Sequence, residues 1–297
     1  MFRRMTVAAL ACLLLSAWRP ALAGSQPLSA DQARALLHAL QFRQGRIAIP
    51  AAHASLQLTS GFSFLDAADA RKVLEQLWRN PPDTGVLGMI VPGKDARGLV
   101  ADDGYAVVIT YTGDGYVSDK NAADIDYDEL LENMQKATRD RNAERRKQGY
   151  RTMTLVGWAE PPHYDRSHHK LYWAKDLRVD GMQNDALNYD IRALGRHGYL
   201  SLNAVAGMGQ LASVKTGMQQ ILPMVDFDQG SRYADFDRHS DHIAAYGISA
   251  LIAGGLAAKA GLFAKLFAVL LAAKKLVIAG VAAAAAFLHK LFKRKQA

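Results

Sequence analysis

The chain has 297 residues, 50% of them hydrophobic, with 36 Lys and Arg against 28 Asp and Glu and a formal net charge of +8. Its one cysteine, Cys12, sits in a segment that reads as a leader, so disulfide staples, thiolate metal sites and cysteine nucleophiles are excluded from the body. The basic total suggests a nucleic-acid partner, but residues 24–258 hold 25 basic against 28 acidic residues, a net of −3, and the excess lies at the two ends; no nucleic acid is expected.

Residues 1–23 read as a signal peptide. Arg3 and Arg4 precede the apolar run Val7–Trp18, and Ala21-Leu22-Ala23 supplies the small-x-small site for cleavage. At about 1.5 Å per residue the run is too short to span a bilayer as a helix. Cys12 falls in its middle rather than after it, so lipidation is not expected.

The body, 24–241, has the size of one domain. Ser29 and Gln32 form a capping box ahead of Ala33, Leu36, Leu37 and Leu40. "GRIAIP" and "ASLQLTSGFSFL" alternate as strands across a short turn. Asp66 or Asp69 can cap a helix with Ala70, Val73, Leu74, Leu77 and Trp78 on one face, stopped by Pro81-Pro82. "GVLGMIVP" and "YAVVITY" follow as deeply buried strands. Asp126 and Glu129 start a helix that buries Leu130, Leu131 and Met134 and ends in Arg145, Arg146 and Lys147 before Gly149, where cations suit the helix dipole.

Four strands then succeed one another: 151–158, 169–177, 187–194 and 199–205. In the third, Leu187, Tyr189, Ile191 and Ala193 alternate with Asn188, Asp190 and Arg192, so one face is expected buried and the other wet. A helix over 208–222 carries Leu211, Val214, Met218, Ile221 and Leu222. The fold class expected is α+β, an antiparallel meander with helices packed on one side.

Residues 242–297 read as a membrane anchor with a basic tail. From Ile243 to Leu291 there is no acidic residue, and the chain ends "HKLFKRKQA". The charge favours one crossing near Ile243–Phe263 with the tail cytoplasmic; a crossing at 276–288, or a hairpin of two, stays open. The bilayer is thus one expected partner through 243–291, and an envelope protein the other.

The stretch richest in chemical groups is "GWAEPPHYDRSHHKLYWA", 157–174. His163, Asp165 and His168 are of the right types for a zinc site or a His–Asp acid–base pair. Against this, His168 and His169 are adjacent, pointing to opposite faces of a strand, and no spacing matches HExxH. Pro161 to Ser167 is better explained as a hairpin loop, so no metal, cofactor or catalytic residue is assigned. Asp124, Asp126 and Asp128 have an EF-hand's opening spacing, but Glu129 stands where that loop needs Gly and Gln135 where it needs Glu. "GSRYADFDRHSDH", 230–242, is expected to be a solvated linker beside the membrane.

"NPPDTGVLGMIVP", "GYVSDKNAADIDYDELLENM", "GWAEPPHYDRSHHKLYWA", "LNYDIRALGRHGYLSLNAVA" and "FDQGSRYADFDRHSDHIAAYGISALIAGG" together resemble the domain-of-unknown-function 2167 family of bacterial membrane-anchored proteins. The resemblance runs from about residue 40 to 265. It implies an exported domain with a C-terminal anchor and carries no catalytic residue. The function expected is a non-enzymatic binding or regulatory module of the cell envelope, on the bacterial inner membrane with its body periplasmic. The alternatives are an envelope hydrolase, metal-assisted through His163, Asp165 and His168, and a polysaccharide-binding domain.

Overall fold

The computed structural model of the protein describes residues 28–78, 80–101 and 104–253. The expected signal peptide with Cys12, the basic tail and the anchor beyond residue 253 lie outside the described residues.

Ser29 caps α1 (Ala30–Ala39) through the reciprocal capping box that its spacing to Gln32 predicts. The next two expected strands are three: β1 (Gly45–Ile49), β2 (Ala54–Leu58) and β3 (Phe62–Asp66). "ASLQLTSGFSFL" breaks at Thr59–Gly61, so β2 stays with β1 while β3 joins β4 (Val86–Pro92) in another sheet. Between them Asp66 caps α2 (Ala67–Arg71), accepting from the N–H of Ala68 and Asp69, and the helix widens into a π turn over Lys72–Leu77. Asp69 is not the cap. Its buried carboxylate accepts from the Gln41 N–H and pairs with Lys72, tying α1's exit to α2.

A short α3 (Arg97–Val100) leads into β5 (Ala106–Thr112). Asp126 then caps α4 (Tyr127–Lys147), whose last turn carries Arg145, Arg146 and Lys147 as the dipole favours. β6 (Met153–Asp165), β7 (Lys170–Val179), β8 (Ala186–Leu194) and β9 (Tyr199–Gly207) form the expected meander. α5 (Leu211–Ile221), β10 (Val225–Phe227) and α6 (Ile248–Ala253) complete the order.

The main sheet has seven strands in the order β3-β4-β5-β9-β8-β7-β6, all neighbours antiparallel, and β1-β2-β10 form a second sheet of three. Three apolar clusters hold the layers together. On one face, Ile90, Val107, Ile109, Leu187, Tyr189, Leu200 and Leu202 pack beneath the small sheet and against Val214, Met218 and Ile221 of α5. The opposite face is covered in two patches. Leu65, Met89, Val91 and Ala106 meet α2 and its π turn, while Leu171, Trp173, Leu194 and Tyr199 meet residues of the 116–134 and 233–252 segments.

Helices therefore lie on both sides of the main sheet, which corrects the one-sided arrangement expected. The reason is that this sheet has apolar residues on both faces, each of which must be taken out of water. Gly217 in α5 makes one of the contacts possible, since a Cβ there would sit 1.7 Å from the Tyr105 hydroxyl.

Two further expectations are corrected. β6 continues through Pro161 and Pro162 to Asp165, which the proline rule for central strands would forbid; β6 is the sheet's edge and is irregular between Trp158 and His163. The expected crossing Ile243–Phe263 begins inside the fold. Ala244, Ile248, Leu251 and Ile252 are buried with Val117, Leu171 and Trp173, and among the described residues no helix is long and apolar enough to cross a membrane.

A chain ending at Ala253 should keep one cooperative unfolding transition, whereas one ending at Asp241 loses the burial of Ile248, Leu251 and Ile252. At about 1.5–3 kcal/mol per buried aliphatic side chain, the loss is on the order of 5 kcal/mol, readable by urea denaturation.

Candidate functional site

The hairpin between β6 and β7 reverses at Arg166–His169. Asp165 organises the turn. Its Oδ1 accepts from the N–H of Ser167 (2.9 Å) and His168 (3.3 Å), and its Oδ2 faces His168 Nδ1 at 2.7 Å. The His168 contact, helped by the turn's N–H groups, holds the Asp165 carboxyl below the usual carboxylate range against the effect of burial. His169 closes the reversal with a left-handed backbone, φ 52°. The loop sought at 161–167 thus contracts to a tight turn.

Of the three candidate metal ligands, Asp165 and His168 meet each other, and His163 does not join them. The His163 ring lies against Tyr172, centroids 5.0 Å apart, on the paired strand. Among the described residues no group of three or more His, Cys, Asp or Glu could hold a metal ion. Asp126 is spent as the α4 cap, which accounts for its place in the EF-hand-like spacing.

His169, adjacent to His168, turns the other way and is half-buried. Its ring stacks on Tyr233 at 4.2 Å, Tyr233 stacks on Tyr116 at 4.4 Å, and Tyr116 on Phe236 at 3.9 Å. Four rings from three distant segments form one column. Beside it the Tyr164 hydroxyl donates to Asp119 Oδ2 (2.8 Å) and lies 3.4 Å from His169 Nδ1. The Tyr233 hydroxyl donates to the carbonyl of Val117 (3.0 Å). Burial, then the Asp119 carboxylate, pushes the Tyr164 phenol well above its ordinary pKa, and burial lowers that of His169. Both shifts favour the uncharged form, of the Tyr164 phenol and of the His169 imidazole alike.

The segment after β10 closes this end of the molecule. Arg196, in the β8–β9 turn, grips Asp241 with two bonds of 2.7 and 2.9 Å and donates to the Gly230 carbonyl. The Asp241 side chain is 5% exposed, and the Arg196 guanidinium together with the Asp237 N–H lowers its carboxyl from an ordinary 3.8 to about 2. Tyr116 and Ile243 pair as a parallel bridge, with Tyr116 N–H to His242 O and Ala244 N–H to Tyr116 O. Gly115 lets the two backbones meet: it adopts φ 101°, and a Cβ would stand 2.5 Å from the His242 carbonyl oxygen. Tyr246 adds a bond to Asp114 (2.7 Å). A shallow hollow of about 410 Å³, lined in part by Lys120, Asn121 and Tyr246, lies next to this seam.

The solvated linker expected at 230–242 is therefore corrected. Tyr233 is buried, Asp241 is locked, and the segment is part of the fold. Asp119, Tyr116, Tyr164, Tyr233 and Phe236 were not singled out by the sequence. The available signal was the pair of aromatics, Tyr233 and Phe236, inside an otherwise charged run.

The model of a family described as "Protein of unknown function (DUF2167)" matches residues 41–285. No curated protein matches the chain. Among solved structures, the solution structure of the cyanobacterial PsbP protein (CyanoP) from Synechocystis sp. PCC 6803 is similar, at 13% identity over 61% of this chain and 91% of that one, with a TM-score of 0.36. That likeness is too loose to transfer a function.

Tyr164→Phe should cost about 1–3 kcal/mol in urea denaturation, because the half-buried Asp119 carboxylate loses its charged-group hydrogen bond. Asp241→Asn tests the clasp by pH. A lowered folded-state pKa stabilises above the unfolded value and that benefit is lost as pH falls through the folded one, so the wild-type advantage should be full above about pH 4 and shrink towards pH 2 in thermal melts. An advantage independent of pH over that range would contradict the assignment.

Proposed function

We propose, from the premise that the chain belongs to the DUF2167 family, that it is a membrane-tethered extracytoplasmic module that works by binding an envelope partner rather than by catalysis. The observation that carries this reading is how the groups at the hairpin end are spent. Tyr164 is committed to Asp119, His168 to Asp165, Asp241 to Arg196 and Tyr233 to a backbone carbonyl. A nucleophile needs a free base beside it, and a raised phenol bonded to a carboxylate is the reverse of an activated one. Two of these bonds, Asp241 to Arg196 and Tyr233 to the Val117 carbonyl, also fasten 228–253 onto the body.

The tether is then placed after the fold. Since Ala244, Ile248, Leu251 and Ile252 are packed in the core, a crossing has to draw on the acid-free sequence 254–291, with the basic residues from Lys290 onward on the cytoplasmic side.

Two measurements decide the reading. The full-length protein should stay with membranes through a carbonate wash, and a chain ending at Ala253 should be released; a full-length protein washed free would remove the tether. In-cell crosslinking and pull-down should recover a partner with the full chain that a leader joined directly to 254–297 does not recover. Equal recovery would remove the binding role of the body.

A further inference from the structure

The face of the main sheet covered in two patches leaves a polar strip between them. Register pairing lays it out in rows across β5, β9, β8 and β7. One row is Thr110–Ser201–Arg192–Leu171, the next Val108–Asn203–Asp190–Trp173, and the third Ala106–Val205–Asn188–Lys175. Asp190 is 2% exposed, in a position expected to be wet, and it is ringed by partners. Lys175 Nζ stands 2.8 Å from Oδ2, Arg192 Nη1 3.1 Å from Oδ1, and Asn203 Nδ2 donates to Oδ1 at 3.0 Å. Burial works against the Asp190 charge, but Lys175, Arg192 and Asn203 outweigh it and keep the carboxyl below its ordinary range. The Lys175 contact is an ion pair without a well-directed hydrogen bond.

A buried ion cluster by itself is most simply a structural device. What separates this one is a one-sided surplus. Two cations face one carboxylate, leaving a net positive charge where side chains are largely out of water: Arg192 is 12% exposed and Lys175 21%. Arg192 spends Nη1 on Asp190 and on the Ile191 carbonyl, and its guanidinium lies 5.0 Å from the Trp173 ring; Nε and Nη2 have no acceptor among the described residues. In the same row, Ser201 is 8% exposed with a hydroxyl that bonds to nothing described, and the Thr110 hydroxyl is likewise unspent. The Trp173 indole N–H, fully buried, has no acceptor either. Apart from Asp190 Oδ2, which faces Lys175, the unspent groups here are N–H donors or hydroxyls that can donate.

We propose that this strip is a binding site for one oxyanion group, a carboxylate or a phosphate carried by a small molecule or polymer end, held by the free edge of Arg192 with Ser201 and Thr110. Nε and Nη2 of one guanidinium form the planar fork that takes two oxygens in parallel. A single negative charge would balance the cluster, and Lys175 has two further N–H groups to offer it. The site lies on the sheet between the two apolar patches, beside Trp173 and away from the hairpin turn, and it uses none of the groups paired at that turn.

The test uses the full-length protein in non-ionic detergent, titrated separately with acetate and with inorganic phosphate, with chloride at matched ionic strength as the control. The readouts are the Trp173 indole N–H resonance and the thermal midpoint. Saturable shifts with one or both oxyanions and none with chloride are expected, and the preferred anion tells carboxylate from phosphate. Arg192→Gln should weaken that binding roughly 10- to 100-fold, the worth of a charge-assisted hydrogen bond, and Ser201→Ala by about 2- to 10-fold.

Ser201→Ala leaves the three charges in place, so it remains informative if Arg192→Gln does not fold. Lys147→Gln, an exposed cation at the end of α4, should change nothing. The proposal is overturned if neither oxyanion gives a saturable shift, or if folded Arg192→Gln or Ser201→Ala binds as tightly as the parent.

Discussion

The pairing of β5 with β9 is the interaction on which the rest of the structure depends. Seven residue pairs join strands that lie far apart in sequence, Ala106 opposite Val205 through Thr112 opposite Tyr199. Without it there are two separate antiparallel units, β3-β4-β5 and β6-β7-β8-β9, each with an unpaired inner edge. With it there is one sheet wide enough to need cover on both faces. The small sheet and α5 take one face, and helices from both halves of the chain take the other. Pairing across such a separation is entropically demanding, and it is repaid by the apolar rows it aligns, such as Ile109–Leu202–Ile191.

The two faces then differ in kind. The face under the small sheet is apolar through its centre, with Lys170 and Asp176 only at the two ends of β7. On the other, the apolar patches stop short of each other because the strands carry Thr110, Ser201, Asn203, Asp190, Arg192 and Lys175 at the rows between them. Those rows keep charge in a place of low dielectric, where the buried Asp190 carboxylate survives only because two cations and an amide stand against it. The hairpin end solves a different problem. There the polar groups are paired one to one, and the result is a closed seam: a column of four rings flanked by a phenol–carboxylate bond and an Arg196–Asp241 clasp. A seam of that kind makes the last described segment, 228–253, a structural part of the body.

Much of the architecture was readable from residues alone. The capping box at Ser29, the Asp126 cap with its cationic last turn, the buried stripe of α5 and the four-strand meander follow from spacing, since caps and periodicity act within one element. What could not be read was decided between elements. "ASLQLTSGFSFL" alternates as one strand would, and only its two different partners divide it. Pro161 and Pro162 signal a loop, yet an edge strand with irregular register tolerates them. The acid-free run starting at Ile243 has membrane-like composition, and its first residues are also what the sheet's second face requires to bury Leu171 and Trp173.

The sequence by itself determined the local elements, the thiol-free body, the concentration of positive charge at the two ends and the absence of an HExxH or EF-hand spacing, because each is a property of nearest neighbours or of composition. Tertiary structure alone decided which histidine stacks on Tyr233, that Asp190 is buried between cations rather than wet, and that Asp119 meets Tyr164. The physical reason is that a side chain's burial and partners are set by the register of strands brought together from distant parts of the chain. Spacing within a strand says which residues share a face, and only the pairing says what that face will meet.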